Sequence, residues 1–226
     1  MTRRTGTRRP LQMDADGRPV RPALTRDHII RTALALLDRE GVDGLSMRKL
    51  GTELSVNPMA FYHHLPNKAA LFDGVVEAVY DEYATAVDAC SGDTTGWRNR
   101  LEGMTRLFRD TLRRHPHVLL VVATRPSYAP SLMAFSDRTI GELIEPGRTE
   151  RDVLAMINAL RAFTIGHLLA EIAQPIGGPT SPDPPLDERH PHLSRAVASG
   201  YDPDSDYEWT LQSMLDGFER RPRPPT

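Results

Sequence analysis

Three helix-capping signals crowd between residues 46 and 67, and they constrain the fold more than any other feature of the chain. Ser46 opens "MRKLGTEL", in which Leu50 and Leu54 share a face. After the break "SVN", Asn57 is an N-cap with Pro58 at the first helical position, starting "PMAFYHH". Leu65-Pro66 stops that segment, and Asn67 caps a longer helix, "KAALFDGVVEAVYDEYATAVDA". Upstream, Ile29, Ile30, Ala33, Leu34, Leu36 and Leu37 recur at helical spacing from Thr25 onward, and Gly41 is placed to end the helix. A chain made to stop and restart this often forms two short helices joined by a tight turn. That is the helix-turn-helix arrangement, whose second helix enters the DNA major groove. Two short helices also meet this way inside ordinary all-helical cores, so the pattern needs support from its side chains.

Downstream, "CSGDTTG" at 90–96 punctuates the chain. A helix then runs from Trp97 to Arg114 with Leu101, Met104, Leu107, Phe108 and Leu112 as its apolar stripe. Pro116 opens "HVLLVVAT", taken as a short buried helix because the surroundings are helical. Another helix covers 131–144. The longest runs from an N-cap at Thr149 to Gln174, and its apolar positions wrap more than one face. An amphipathic surface helix covers about a third of its circumference, so this one must bury one face on its own subunit and another elsewhere. Residues 175–191, rich in proline and glycine, read as a mobile loop. A short helix near 192–199 and a last one over 206–220 close an all-α fold.

Charge is distributed unevenly. Residues 1–68 carry a net +5 and the remainder −7, within a chain total of −2. A basic N-terminal third points to an anionic partner there. Residues 1–24 hold Arg8, Arg9, Arg18 and Arg21 among glycines and prolines, and read as a disordered basic arm. Its arginines would add minor-groove or phosphate contacts. A single cysteine, Cys90, excludes an internal disulfide and suits a cytoplasmic protein. No unbroken apolar run approaches the roughly 18 residues of a membrane span, and no apolar segment follows the N-terminal arginines as a signal peptide requires. A membrane partner is not expected.

The short second helix carries the right side chains for DNA. Tyr62, His64 and Lys68 are donors of different reach that can touch phosphates along one strand. Arg48, near the start of the preceding helix, can reach a guanine edge or a phosphate. Met59 and Ala60 can contact a thymine methyl. Phe61 points away from this set and reads as a core anchor, while His63 is open between a base contact and solvent.

The stretch "LTRDHIIRTALALLDREGVDGLSMRKLGTELSVNPMAFYHHLPNKAALFDGV" resembles the DNA-binding domain of the tetracycline-repressor family of bacterial transcription regulators. "VVATRP" and "RAFTIGHLL" are more weakly similar to its tetracycline-binding members. The resemblance implies a three-helix helix-turn-helix domain over 25–68 and a helical effector-binding and dimerisation domain over 69–220. It implies a homodimeric repressor of a double-stranded operator, released by a small molecule. It matches Arg48, Pro58 and Ala60 to base-contacting positions, and Tyr62, His64 and Lys68 to phosphate-contacting ones. Relatives carry glutamine and threonine where Pro58 and Ala60 stand, so a different operator sequence is expected. The interface should come from helices 149–174 and 206–220.

The resemblance also implies a ligand cavity, to which Met104, Phe108, Val121, Thr124, Arg125, Phe135, Met156 and Phe163 are assigned; by composition alone the Met/Phe set, Met133 included, is core. Tetracycline repressors hold drug-bound magnesium through a histidine and an acid. The matching positions are Val121 and Ala170, so tetracycline–Mg²⁺ is not the expected effector. "HPH" at 115–117 and 190–192 has no acidic or thiol partner at metal-site spacing, and its histidines read as caps or surface residues. His167 reads as a polar core or interface residue. Arg161 and Glu171 are either a buried pair or part of a solvated face. No nucleophile elbow, phosphate loop or paired-carboxylate motif is present; no catalytic residue, cofactor or metal is expected. The rivals to a DNA-binding regulator are an enzyme and a helix-turn-helix protein that binds another protein.

Overall fold

In the computed structural model the described residues are 24–90, 96–125, 129–145, 148–172, 189–200 and 202–220. The basic arm and most of the 175–191 loop lie outside them. Among the described residues every regular element is helical: α1 (Arg26–Gly44), α2 (Met47–Leu54), a 3₁₀ turn (Pro58–His63), α3 (Lys68–Ala89), α4 (Trp97–Arg114), a 3₁₀ turn (Pro116–Val118), α5 (Leu119–Thr124), α6 (Pro130–Leu143), α7 (Glu150–Ile172), α8 (Pro191–Ala198) and α9 (Pro203–Arg220).

Caps set these boundaries as the sequence predicts. Ser46 Oγ accepts from Lys49 N at 3.2 Å, Asn57 Oδ1 from Met59 N at 2.9 Å, and Asn67 Oδ1 from Ala70 N at 2.9 Å. Thr149 and Asp152 cap each other: Thr149 Oγ1 accepts from Asp152 N, and Asp152 Oδ2 accepts from Thr149 N, both at 3.2 Å. Gly41 leaves the helical region (φ 74°), a conformation that suits glycine, and one further turn reaches Gly44. The last helix begins three residues before the expected start, at Pro203, and proline at a first helical turn explains why.

Two core clusters organise the molecule. The first joins Ile29, Ile30, Leu36, Leu37, Leu50, Phe61, Leu65, Leu71 and Val75 of the N-terminal head to Phe108, Leu112, Val118, Val121, Phe135 and Leu168 of the body. The head is therefore continuous with the body through α3. The expected boundary at residue 68 assigns α3 to the body, yet its Leu71 and Val75 complete the head's core. Helices α1 and α3 approach so closely that a Cβ on Gly74 would lie 2.4 Å from Ile30 Cδ1. The second cluster packs Trp97, Leu101, Val153, Met156 and Leu160 against Tyr207, Leu211 and Leu215 of α9.

Polar contacts seat α9 on α4. Arg98 pairs with Asp216 at 2.7 Å, Arg106 with Glu208 at 2.7 Å and Arg109 with Asp204 at 2.6 Å. The Arg106 hydrogen bond holds the Glu208 carboxyl below its ordinary range. A depressed folded pKa contributes stability above the unfolded value and loses it as pH falls through the folded one. The melting temperature should therefore drop as pH falls below the ordinary carboxylate range, and Glu208→Gln should drop less over that interval. Thermal scans of the two proteins between neutral and acid pH check this.

Helix α7 is long and apolar enough to cross a membrane by length and composition, although no unbroken apolar run in it suggested so. Asn158, Arg161 and His167 interrupt it, and a third of its most apolar window is buried. His167 lies where a polar core residue was expected: its Nε2 is 3.1 Å from Pro203 O, and its ring lies edge-on to Tyr207. Arg161 and Glu171 do not pair. Glu171 is taken by Arg113 at 2.5 Å, because α4 brings its arginines to the end of α7.

Candidate nucleic-acid interface and ligand cavity

The segment expected to read DNA is a 3₁₀ turn, where the sequence predicts an α-helix. Pro58 has no N–H, Leu65-Pro66 stops the chain, and six residues leave little room for 13-atom rings. Ala60 N therefore bonds to Asn57 O at 2.9 Å, three residues back. Phe61 is fully buried beneath the turn. Its carbonyl accepts from both His64 N (2.8 Å) and Leu65 N (2.7 Å), closing the segment before α3. Ser55 at the end of α2 is left-handed (φ 55°), and its N–H bonds back to Gly51 and Thr52, making the tight turn.

With Phe61 inside, Met59, Tyr62, His63 and His64 face outward and are exposed, while Pro58 and Ala60 are half-buried. Arg48 is exposed on α2. Its neighbours are engaged within the protein: Arg26 with Glu77, Arg31 with Asp27, Arg39 with Glu40 and Glu53, Lys49 with Glu40. Among the described residues, Arg48 is the one Lys or Arg of 24–68 whose side chain makes no hydrogen bond or ion pair. Lys68 is placed differently from the rest of the predicted set. Its Nζ donates to Leu45 O at 3.0 Å and lies 5.5 Å from the Phe72 ring centre, so it ties the α1–α2 connection to α3.

The head is joined to the body at "HPH" 115–117: His115 stands at the cap position between α4 and the 3₁₀ turn and His117 is exposed, as expected, and both rings also reach α1 or α3. His115 Nδ1 lies 2.8 Å from Asp38 Oδ2 on α1, and its Nε2 lies 2.8 Å from Glu82 Oε2 on α3. His117 Nδ1 is 3.1 Å from Asp38 O. Nothing in the local sequence signals this bridge, because its partners lie 77 and 33 residues away.

The body holds a cavity of about 260 Å³ between α3, α4, α6 and α7. Of the residues assigned to a pocket, Met104, Phe108, Arg125 and Phe135 line it. Val121, Thr124, Met156 and Phe163 do not. Val121 belongs to the head-side core, Met156 to the α4–α7–α9 core, and Phe163 stacks on Tyr207 with ring centres 4.9 Å apart. Thr124 closes the end of α5, bonding Leu120 O at 2.7 Å. The cavity adds Tyr80 and Tyr83 from α3, Ser136 and Thr139 from α6, and Asn158 and Arg161 from α7. Burial raises the Tyr83 phenol, so it faces the cavity as a neutral group. A usable signal existed: Asn158 and Arg161, three apart, are a polar pair within the apolar middle of α7. Among the described residues, no His, Cys, Asp or Glu lines the cavity.

A helix-turn-helix head with Arg48 on its outward edge, continuous with a helical body that holds a partly open cavity, is the architecture of a DNA-binding regulator with room for a ligand. Comparison with known proteins is specific within that class. Residues 29–75 match the model of the bacterial regulatory proteins of the tetR family, and residues 91–221 that of the tetracyclin repressor-like C-terminal domain. The chain is 30% identical to the HTH-type transcriptional repressor DrrR1 of Streptomyces coeruleorubidus, over 92% of this chain and 83% of that one. It is 35% identical to the class A tetracycline repressor protein from transposon 1721 of Escherichia coli, over 85% and 89%. A solved possible TetR-family regulator from Streptomyces coelicolor A3(2) superposes with TM-score 0.69 at 30% identity, covering 86% of this chain and 98% of that chain. The chain belongs to the tetR family of bacterial transcriptional regulators.

Proposed function

We propose that this chain is a cytoplasmic, homodimeric transcriptional repressor that leaves a palindromic operator when a small molecule fills the body cavity. The observation that carries the reading is the edge formed by Arg48, Tyr62, His63 and His64, exposed and without partners above a fully buried Phe61. Charged and aromatic donors left unpaired on a rigid turn are what phosphates and base edges require. In this reading Lys68 acts from within the head and adds a phosphate contact through its remaining ammonium protons.

Helix α7 supports a dimer. Ala155, Ala162, Gly166 and Ala170 are exposed along it, Leu154 is 45% exposed, and Trp209 on α9 is 74% exposed. Small residues let a second helix approach closely, and a second copy would bury this surface. A two-fold dimer sets the two recognition turns about one helical turn of DNA apart, roughly 34–36 Å, and so requires a palindrome. Ligand in the cavity can shift the spacing only by binding one conformation more tightly than the other. The continuous core through α3 and the His115 bridge supply the physical connection.

Arg48→Ala should weaken operator binding by about tenfold to a hundredfold and relax preference at one base pair per half-site. Titrating the variant against operators mutated one position at a time measures both. Tetracycline with Mg²⁺ is not the effector in this reading: Val121 and Ala170 carry no ligand atom, Val121 is buried in the core, and Ala170 lies outside the cavity. No catalytic role is proposed for the cavity. Binding to the promoter beside the chain's own gene, repeated with substrates of neighbouring enzymes or exporters as releasing agents, tests the proposal. Folded protein that retains none of that DNA would favour a protein partner instead.

A further inference from the structure

The cavity contains one charge that the protein itself does not use. Arg125 is engaged, its Nη1 donating to Asp73 at 2.5 Å and to Ala69 O at 3.3 Å, with its guanidinium over the Phe72 ring. Arg161, on the α7 wall, has no side-chain hydrogen bond, ion pair or ring contact among the described residues, although it is partly withdrawn from water. Other arginines of comparable exposure in the body have acidic partners: Arg98 with Asp216, Arg100 with Glu142. A half-buried guanidinium without an anion costs desolvation that no described residue offsets. Four aromatic rings, Tyr80, Tyr83, Phe108 and Phe135, form one side of the lining, and the rest is mostly aliphatic with a few neutral polar groups. Tyr83 stands edge-on to both Phe108 and Phe135, at 5.3 and 5.5 Å, and Tyr80 stacks near Phe108.

We infer that the cavity takes a planar aromatic anion, whose rings lie among Tyr80, Tyr83, Phe108 and Phe135 and whose acidic group pairs with Arg161, beside the Asn158 amide. This rests on the cavity being the effector site proposed above, and it names the ligand's chemistry. A carboxylate, a sulfonate or an acidic phenol meets the requirement, because each presents anionic oxygen to a fork of N–H donors. A cationic ligand does not: Arg161 repels it, and no carboxylate lines the wall to receive it.

The test uses the full chain with two fluorescent probes differing in one group: anilinonaphthalene sulfonate, and N-phenylnaphthylamine, the same fluorophore without the sulfonate. Arg161→Gln should weaken the sulfonate probe about tenfold and leave the neutral probe unchanged. Arg161→Lys should restore most of the loss, and Arg151→Gln, on the same helix outside the cavity, should change neither. Equal effects on both probes, no effect, or no binding of either probe overturns the inference. So does loss of dimer without loss of probe affinity, which would make Arg161 an intersubunit contact. If the sulfonate probe binds through Arg161 yet leaves operator affinity unchanged at saturation, the ligand class stands and the effector reading falls.

Discussion

Phe61→Ala should abolish operator binding while leaving the body helical. Phe61 is fully buried, and the six-residue turn above it has no other large apolar anchor: Met59 and Tyr62 face outward at 68% and 46% exposure. Truncating a buried phenylalanine costs about 3–5 kcal/mol through lost transfer energy and the void left behind. A small domain has only about 5–15 kcal/mol in all. The loss falls on the short turn, which is least able to hold itself by backbone bonds. Tyr62, His63 and His64 then lose their common orientation although none has been altered. Circular dichroism on heating, with operator titration below the transition, checks both parts. Phe61→Leu, which refills much of the volume, should recover a good share of each. An unchanged melting temperature would show that the turn does not depend on this anchor.

Ala162→Glu should convert the protein to a folded monomer and reduce operator affinity by about a hundredfold or more. Ala162 is exposed within the chain, so glutamate fits the monomer without strain. Across a two-fold axis the substitution buries two unpaired carboxylates near each other, which an apolar contact cannot accommodate. Once the dimer is lost, each half-site is bound separately and the gain from linking two heads disappears. Sedimentation at micromolar concentration reads the oligomeric state. Trp209 emission should move toward that of a water-exposed indole, since α9 is expected to share the interface. A variant that stays dimeric with unchanged Trp209 emission would place the contact on another surface.

Much of this architecture is legible in the chain because its determinants are local. Ser46, Asn57, Asn67 and Thr149 each accept from a backbone N–H two or three residues on, so reading a few positions suffices. The inward phenylalanine of the recognition turn and the two-faced character of α7 follow from spacing in the same way. The winding of the turn was less accessible. Whether six residues between prolines form α or 3₁₀ bonds depends on how Phe61 seats in a core built by α1 and α3.

The cavity divides along the same line. Met104, Phe108 and Phe135 are apolar positions on stripes that periodicity finds, and two helices, α4 and α6, bring them to one cavity. Met156 and Phe163 sit on α7 with the same chemistry and serve α9 instead, a difference of rotation about the helix axis that composition does not encode. By itself the sequence determined the helices, most of their ends, the outward edge of the recognition turn and an α7 that is apolar on more than one face. Tertiary structure alone decided that Lys68 turns back onto Leu45, that His115 joins α1 to α3, and that Arg161 faces a cavity without a counterion. Caps and periodicity act within a turn or two of backbone. The partner of a charged side chain is set by whichever distant helix the core packing brings within about 3 Å of it.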